Sequence, residues 1–211
     1  MDVFKGFYFI TDHNLSRNGN IKDVDLALQA GVRLIQFREK TRGKIEYFSE
    51  LIGIKDLCLK HQARLIINDD IQLAKEVDAD GVHLGQGDSS IQKARGLLGS
   101  DKIIGISAYT FTEAHEAQDQ GASYLGVGHI FPTHTKVKES SPLGTSILKE
   151  FKRQFTLPIV AIGGIHIDNV LSVIETGVDM FCALSYSLKD GRVKENIAEL
   201  TRLFNRSSPK S

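Results

Sequence analysis

The sequence lacks net charge, metal-type cysteine spacing and any long apolar run. Its 26 Lys and Arg residues balance its 26 Asp and Glu residues, so composition gives no reason to expect a nucleic acid or an anionic membrane as a partner. No apolar run approaches the roughly 18 residues of a membrane-spanning helix. Cys58 and Cys182 lie far apart, and we expect reduced core thiols in a cytoplasmic protein.

Several other signals are also absent. The N-terminal residues carry no signal-peptide pattern and lead directly into a strand-like segment. Neither a zinc-type His/Cys cluster nor a GxSxG nucleophile elbow occurs, so nothing favours zinc or serine-hydrolase chemistry. With 211 residues, of which 41% are hydrophobic, the chain fits one globular domain. We expect that domain to span residues 1–205, followed by a disordered polar tail over residues 206–211.

Eight short β-rich segments alternate with segments of helical spacing along the whole chain. One long helix is predicted from Ile45 to near His61, and Gly31, Gly121 and Gly177 each stand between a predicted helix and the next strand. The strand-like segments are largely apolar on both faces, as buried parallel strands are. They are Phe7–Thr11, Arg33–Phe37, Arg64–Asn68, Gly81–Leu84, Lys102–Ser107, Ser123–Val127, Pro158–Ile162 and Asp179–Ser185.

Eight strand-helix units predict a closed (β/α)₈ barrel, or TIM barrel, as a single compact domain of the α/β class. The main alternative is an open doubly wound sheet, which would need fewer strands or a GxGxxG fingerprint after the first strand. The first strand-like segment instead ends in Thr11-Asp12-His13. In a TIM barrel, catalytic groups lie at the carboxyl ends of the strands. The polar residues that follow each segment are therefore the candidate site.

Polar residues after the second, third and fourth segments suit a metal-bound polyanion. Arg38 and Lys40 follow the second segment, Asp69 the third and Asp88 the fourth. Arg and Lys bind phosphate, and one or two carboxylates together with phosphate oxygens form a typical Mg²⁺ site. Asp70 has a strong alternative role as a helix N-cap, and Asp88 has a similar one. Asp69 has no such alternative and is the better metal candidate.

The last segments predict a second anion site. The Gly163-Gly164 pair would let backbone N–H groups approach an anion closely, and phosphate sites after strands 7 and 8 recur in this fold. The stretch over residues 131–143 is long for a barrel loop, as a functional lid would be. It carries Thr133, Thr135 and Lys136, which suit a phosphate. Two anion sites in one mouth indicate group transfer with loss of pyrophosphate.

Six motifs, in order, carry a resemblance to a known family. The chain resembles the thiamine-phosphate synthases (thiamine-phosphate pyrophosphorylases) from Tyr8 to Ser185. The resemblance implies a transferase that joins an amino-substituted hydroxymethylpyrimidine pyrophosphate to hydroxyethylthiazole phosphate, giving thiamine phosphate and pyrophosphate. The motifs are Gln36-Phe37-Arg38-Glu39-Lys40, Ile67-Asn68-Asp69-Asp70, Gly81-Val82-His83-Leu84-Gly85-Gln86-Gly87-Asp88, Gly105-Ile106-Ser107, Phe131-Pro132-Thr133-His134-Thr135-Lys136 and Ile162-Gly163-Gly164-Ile165.

The resemblance also implies residue roles. Asp69 and Asp88 would hold a Mg²⁺ cofactor, while Arg38, Ser107 and Lys136 would take part in catalysis. Pyrophosphate would leave first, and the thiazole nitrogen would then attack a pyrimidine-methyl cation. Partners would be small phosphorylated molecules, and a homo-oligomer is compatible with the family. The pyrimidine pyrophosphate would contact Gln36, Phe37, Arg38, Glu39, Lys40, Asn68, Ser107 and Lys136, and the thiazole phosphate Thr133, His134, Thr135, Gly164, Leu184 and Ser185.

His129 keeps a second activity open. The family usually has Gly-Pro where this chain has Gly128-His129, and the related thiazole tautomerases carry a proton-transferring His there. That group tends to lose the Asn68–Asp70 and Gln86–Asp88 elements, which this chain keeps, so the synthase is favoured. A non-catalytic binder of thiamine precursors is a third hypothesis and a sugar-phosphate epimerase a fourth. His83, inside a strand, is predicted to be structural.

Overall fold

Eight parallel strands close into a barrel in chain order, with β8 paired to β1, in a computed structural model that describes residues 3–133 and 141–207. The predicted (β/α)₈ barrel is therefore confirmed. The strands are β1 (Gly6–Ile10), β2 (Leu34–Phe37), β3 (Arg64–Asn68), β4 (Gly81–Leu84), β5 (Ile103–Ala108), β6 (Tyr124–Val127), β7 (Ile159–Ile162) and β8 (Met180–Cys182).

Helices follow the strands and form the outer ring. The predicted long helix is α2, and Gly31, Gly121 and Gly177 each adopt positive φ after a helix, as their positions predict. No helix in the described part of the chain combines the length and apolar character needed to cross a membrane. The helices are α1 (Asn20–Gln29), α2 (Lys44–Lys60), α3 (Ile71–Glu76), α4 (Ile91–Leu98), α5 (Phe111–Asp119), α6 (Ser146–Gln154), α7 (Val170–Ile174), α8 (Leu184–Ser187) and α9 (Val193–Ser207).

Two predicted boundaries differ from the structure by more than one residue. The eighth strand ends at Cys182 rather than at Ser185, because the chain turns into α8, where the Ser187 N–H donates to the Ala183 carbonyl at 2.8 Å. The predicted tail also begins too early, since α9 includes Arg206 and continues to Ser207. Residues 208–211 of that predicted tail lie outside the described residues.

Alternation along the strands divides the core into two layers. In β1, Phe7 and Phe9 pack in the outer layer, between the barrel and the helices. Tyr8 and Ile10 point to the opposite face and belong to the inner layer. Cys58 is buried in the outer layer and Cys182 in the inner one, and burial raises the pKa of each thiol to about 12. The inner layer comprises Tyr8, Ile10, Leu34, Ile66, Tyr124, Val160, Met180 and Cys182.

A glycine on β5 makes room for Tyr124, one of the two tyrosines of that inner layer. A Cβ atom added at Gly105 would lie 2.1 Å from the Tyr124 ring, and Tyr124 itself is fully buried. Because Gly105 and Tyr124 both lie in rigid strands, a side chain at position 105 would force the Tyr124 ring or the backbone to move.

Gly105→Ala should therefore lower the free energy of unfolding by about 1–3 kcal/mol. Gly96→Ala is the matched control, because Gly96 lies within α4 with nothing within 4 Å of an added Cβ. The control should raise stability by about 0.5–1 kcal/mol. Denaturant unfolding of the two variants measures both effects, and equal stability of the two would contradict the packing account.

Candidate active site at the barrel mouth

A cavity opens at the carboxyl ends of the strands, and all eight strand ends contribute to its wall. The predicted site residues His134, Thr135 and Lys136 lie outside the described residues. Asp69 lines the cavity wall. Lys40 and Asp88 do not line the wall, but each interacts with Asp69. The predicted residues that line the cavity are Gln36, Arg38, Asn68, Asp69, Ser107, His129, Thr133, Gly164, Leu184 and Ser185.

Arg38 is held in place by the end of the neighbouring strand. Its guanidinium donates to Asp12 at 2.8 Å, and its backbone N–H donates to the Thr11 hydroxyl at 2.9 Å. Asp12 is buried and also accepts from the N–H groups of Asn14 and Leu15. This ion pair fixes the guanidinium at the cavity wall. Asp12 was not predicted as a site residue, although it directly follows the first predicted strand segment, Phe7–Thr11.

Two predicted substrate contacts, Phe37 and Glu39, have side chains that lie elsewhere. The Phe37 ring packs in the outer layer against Tyr47, with centroids 5.5 Å apart. The Glu39 carboxylate folds under its own loop and accepts from Thr41 at 2.8 Å and from Arg42 at 2.5 Å. Partial burial would by itself raise the pKa of Glu39, but these hydrogen bonds outweigh it and lower that pKa to about 2. Glu39 braces the loop that carries Lys40.

Glu39→Gln should destabilise the protein at neutral pH by roughly 2 kcal/mol. The folded-state pKa of Glu39 is depressed, so its contribution is complete above the ordinary value near 4.5 and disappears as pH falls towards 2. Thermal unfolding between pH 7 and 3 should show the gap between wild type and variant narrowing below about pH 4.5. Glu150→Gln, at an exposed carboxylate paired with Arg153, should show almost no gap at any pH. A gap for Glu39→Gln that is independent of pH would contradict the assignment.

Asp69 combines an unusual backbone conformation with a charged partner. Its φ is 63°, in the left-handed region that Asp tolerates better than most residues. Its N–H donates to the His83 carbonyl at 2.8 Å. Its carboxylate accepts from Lys40 Nζ at 2.5 Å and from the Asn68 amide at 2.7 Å. Asp70, in contrast, caps α3 by accepting from the Leu73 N–H at 2.9 Å, as predicted.

Asp88 does not have the helix-capping role considered as its alternative. Ser90 caps α4, accepting from the Lys93 N–H at 3.2 Å. The Asp88 carboxylate instead accepts from the Gly85 N–H at 2.7 Å, which closes the turn after β4. This turn places the Asp88 carboxyl group next to that of Asp69, so each group shifts the pKa of the other.

The two carboxyl groups differ in proton affinity. Desolvation would raise the pKa of Asp69, but the hydrogen bond from Lys40 helps to hold that pKa below its ordinary value. Desolvation and the contact with Asp69 raise the pKa of Asp88. No group of three or more His, Cys, Asp or Glu side chains within residues 3–133 and 141–207 could hold a metal ion. Two carboxylates could hold a hard cation such as Mg²⁺ if substrate oxygens and water completed its coordination.

The cavity floor is a run of polar side chains across the barrel. The Gln36 amide donates to the Tyr8 hydroxyl at 2.8 Å, and the Tyr8 and Tyr124 hydroxyls are 2.7 Å apart. His83 joins Tyr124 to Ser107, at 2.9 Å through Nδ1 and 3.0 Å through Nε2. His83 lies within β4 as predicted, but its side chain also lines the cavity. Tyr8, Tyr124 and His83 were not predicted as site residues.

The opposite side of the mouth combines glycines and small polar groups with apolar side chains. Gly163 and Gly164 have φ of 97° and 66°. A Cβ at Gly163 would lie 2.3 Å from His129 Cβ, and one at Gly164 would lie 2.5 Å from the Pro132 carbonyl oxygen. These glycines therefore let the segment after β6 pack on the end of β7. Thr133, Gly164 and Ser185 line both the main cavity and a shallower recess beside it.

Comparison with known proteins decides the family. A family model described as thiamine monophosphate synthase matches residues 7–186. The chain belongs to this family. The thiamine-phosphate synthase of Methanosarcina mazei is 41% identical over 92% of this chain and 80% of its own length. That of Clostridium acetobutylicum is 38% identical over 96% of both chains.

The architecture also matches a solved member of the family. A thiamine phosphate pyrophosphorylase from Pyrococcus furiosus superposes with a TM-score of 0.88 and 33% identity, and 98% of each chain is covered. Members with these names are transferases. The family match spans the strand ends that form the cavity, from β1 to α8.

Proposed function

We propose that this thiamine monophosphate synthase family member acts as a thiamine-phosphate synthase. It transfers a pyrimidine-methyl group from its pyrophosphate ester to a thiazole phosphate. The observation that carries the proposal is the cluster of Lys40, Asp69 and Asp88 beside Arg38 at the mouth. Two cations and a carboxylate pair suit a pyrophosphate bound with a divalent cation, and a bound pyrophosphate is a leaving group.

The chain's own residues account for binding the leaving group. Arg38, fixed by Asp12, offers a planar fork to phosphate oxygens, and Lys40 offers a point charge. Asp69 and Asp88 would hold Mg²⁺, which when bound neutralises charge on the departing pyrophosphate. Asn68 orients the Asp69 carboxylate through its 2.7 Å hydrogen bond. The resemblance adds Lys136 as a further cation for this group.

The remaining walls suit the two organic groups. Gln36 and Ser107 stand at the floor, where a pyrimidine ring would find hydrogen-bond partners. Thr133, Gly164, Leu184 and Ser185, with His134 and Thr135 from the resemblance, would receive the thiazole phosphate. The C–O bond to pyrophosphate breaks with its electron pair leaving on oxygen, and the thiazole nitrogen then forms the new N–C bond. Protein groups position the reactants and stabilise charge, so no enzyme nucleophile is required.

One observation supports a second candidate function, that of a thiazole tautomerase. His129 lines the cavity beside Gly163, where it could carry a proton to or from a bound thiazole. This activity would use neither the Asp69–Asp88 pair nor a pyrophosphate. If wild type formed no thiamine phosphate but exchanged a thiazole proton, and His129→Ala abolished that exchange, the tautomerase would replace the synthase.

Wild type incubated with both substrates and Mg²⁺ should release thiamine phosphate and pyrophosphate. Asp69→Asn should lower kcat roughly 100-fold, because it removes a metal ligand's charge while Asn still tolerates the left-handed backbone. Asp70→Asn is the matched control: it removes the neighbouring charge, and Asn still caps α3. That control should keep kcat within about twofold, since Asp70 caps a helix and does not line the main cavity. Equal turnover in wild type and Asp69→Asn would remove Asp69 from the site.

A further inference from the structure

We propose that the chain of hydrogen bonds from Gln36 to Ser107 runs in one direction and sets which pyrimidine the cavity accepts. Its direction leaves the Gln36 carbonyl oxygen as an acceptor at one end and the Ser107 hydroxyl hydrogen as a donor at the other. Tyr8, Tyr124 and His83 are then positioning residues, acting through these two ends. The inference rests on the proposed function for the identity of the ligand.

This hydrogen-bond chain crosses the barrel and joins side chains from five strands. It links Gln36 on β2 to Tyr8 on β1, Tyr124 on β6, His83 on β4 and Ser107 on β5, with donor–acceptor distances of 2.7–3.0 Å. Gln36, Tyr8 and Tyr124 are almost completely buried. Buried polar groups in such a network polarise one another and are costly to leave without a partner.

The first link fixes the direction of the second. The Gln36 amide nitrogen can only donate, so the Tyr8 oxygen accepts from it. Tyr8 has one hydroxyl hydrogen, and within the described residues its only acceptor is the Tyr124 oxygen. Tyr8 therefore donates to Tyr124. Burial raises the pKa of both phenols, which keeps each hydrogen in place.

The remaining hydrogen bonds run in the same direction, from Tyr124 towards Ser107. Tyr124 accepts from Tyr8, so its own hydrogen goes to His83 Nδ1. A histidine that accepts at Nδ1 carries its proton on Nε2, and Nε2 donates to the Ser107 oxygen. The Ser107 hydrogen is then directed to another acceptor. If the Gln36 amide were turned over, every link would reverse and His83 would carry its proton on Nδ1.

Two glycines leave the space that the Tyr124 and His83 side chains of this hydrogen-bond chain occupy. A Cβ at Gly105 would lie 2.1 Å from the Tyr124 ring, and one at Gly126 would lie 3.0 Å from His83 Cε1. The His83 and Tyr124 rings stack with centroids 5.5 Å apart. The barrel interior is thus shaped to keep both rings in one orientation.

The fixed ends match an aminopyrimidine. Its exocyclic amine is a donor that the Gln36 carbonyl oxygen can accept, and its ring nitrogens and phosphate oxygens are acceptors for the Ser107 hydroxyl. An oxo-substituted pyrimidine presents an acceptor in place of the amine, so the Gln36 oxygen loses the donor at that exocyclic position and faces another acceptor. A site with fixed hydrogen-bond polarity rejects such an analogue strongly.

Two measurements test the direction of the hydrogen bonds, and neither requires the enzyme to turn over its substrates. Long-range ¹H–¹⁵N NMR of wild type should show His83 with its proton on Nε2, and calorimetry should show the aminopyrimidine pyrophosphate binding at least tenfold more tightly than its oxo analogue. Tyr124→Phe should remove the tautomer preference and shrink that ratio to below about threefold. Tyr186→Phe, which removes a hydroxyl bonded to Glu199 at 2.9 Å, should change neither.

A wild-type His83 protonated on Nδ1 would overturn the proposal, as would an unchanged selectivity ratio in Tyr124→Phe. If Tyr124→Phe does not fold, the wild-type tautomer and the two wild-type affinities still decide. Neither readout depends on synthase turnover. A protein that binds as described yet makes no thiamine phosphate would disprove the proposed function alone.

Discussion

The contact between the carboxyl groups of Asp69 and Asp88 is the constraint around which the site is organised. Two carboxyl groups so close cannot both ionise unless a cation offsets their repulsion. The chain supplies one such cation, Lys40, from the loop after β2. The left-handed backbone of Asp69 and the Gly85 N–H that holds Asp88 maintain the contact. Local strain of this kind persists where surrounding structure over-determines it.

The same constraint extends outward through the loop after β2. Glu39 gathers hydrogen bonds from the loop, and Arg42 joins it to Glu50 on α2 at 2.7 Å. Lys40 can therefore meet Asp69 with little conformational freedom left in its backbone. On the other flank, Asp12 fixes Arg38. Among the described residues, charge is concentrated on the β2–β4 side of the mouth, while the β7–β8 side is lined by glycine, small polar and apolar groups.

Sequence periodicity was sufficient for the barrel because the strands are largely apolar on both faces and a glycine separates several helices from the next strand. It failed at the end of β8, where the residues up to Ser185 continue the strand-like composition but the backbone has already turned into α8. Composition does not distinguish a buried strand from a short buried helix. The N-cap role of Asp70 was predictable because its partner lies three residues away.

Contacts between distant strands were beyond the sequence. Glu39 was grouped with the substrate ligands through its motif, yet its partners are backbone N–H groups and the Thr41 and Arg42 side chains of its own folded loop. The chain from Gln36 to Ser107 depends on the register of five strands around a closed barrel, which no local pattern specifies. Tyr8 and Tyr124 are 116 positions apart. Each looks like an ordinary core aromatic until the barrel closes.

The most direct measurement of the central claim is the affinity for pyrophosphate with and without Mg²⁺. Calorimetric titration of wild type should give at least tenfold tighter binding when Mg²⁺ is present, because the Asp69–Asp88 pair and the ligand oxygens together complete the metal's coordination. In Asp88→Asn the Mg²⁺ effect should fall below about twofold. Equal affinity of wild type in the presence and absence of Mg²⁺ would contradict the account.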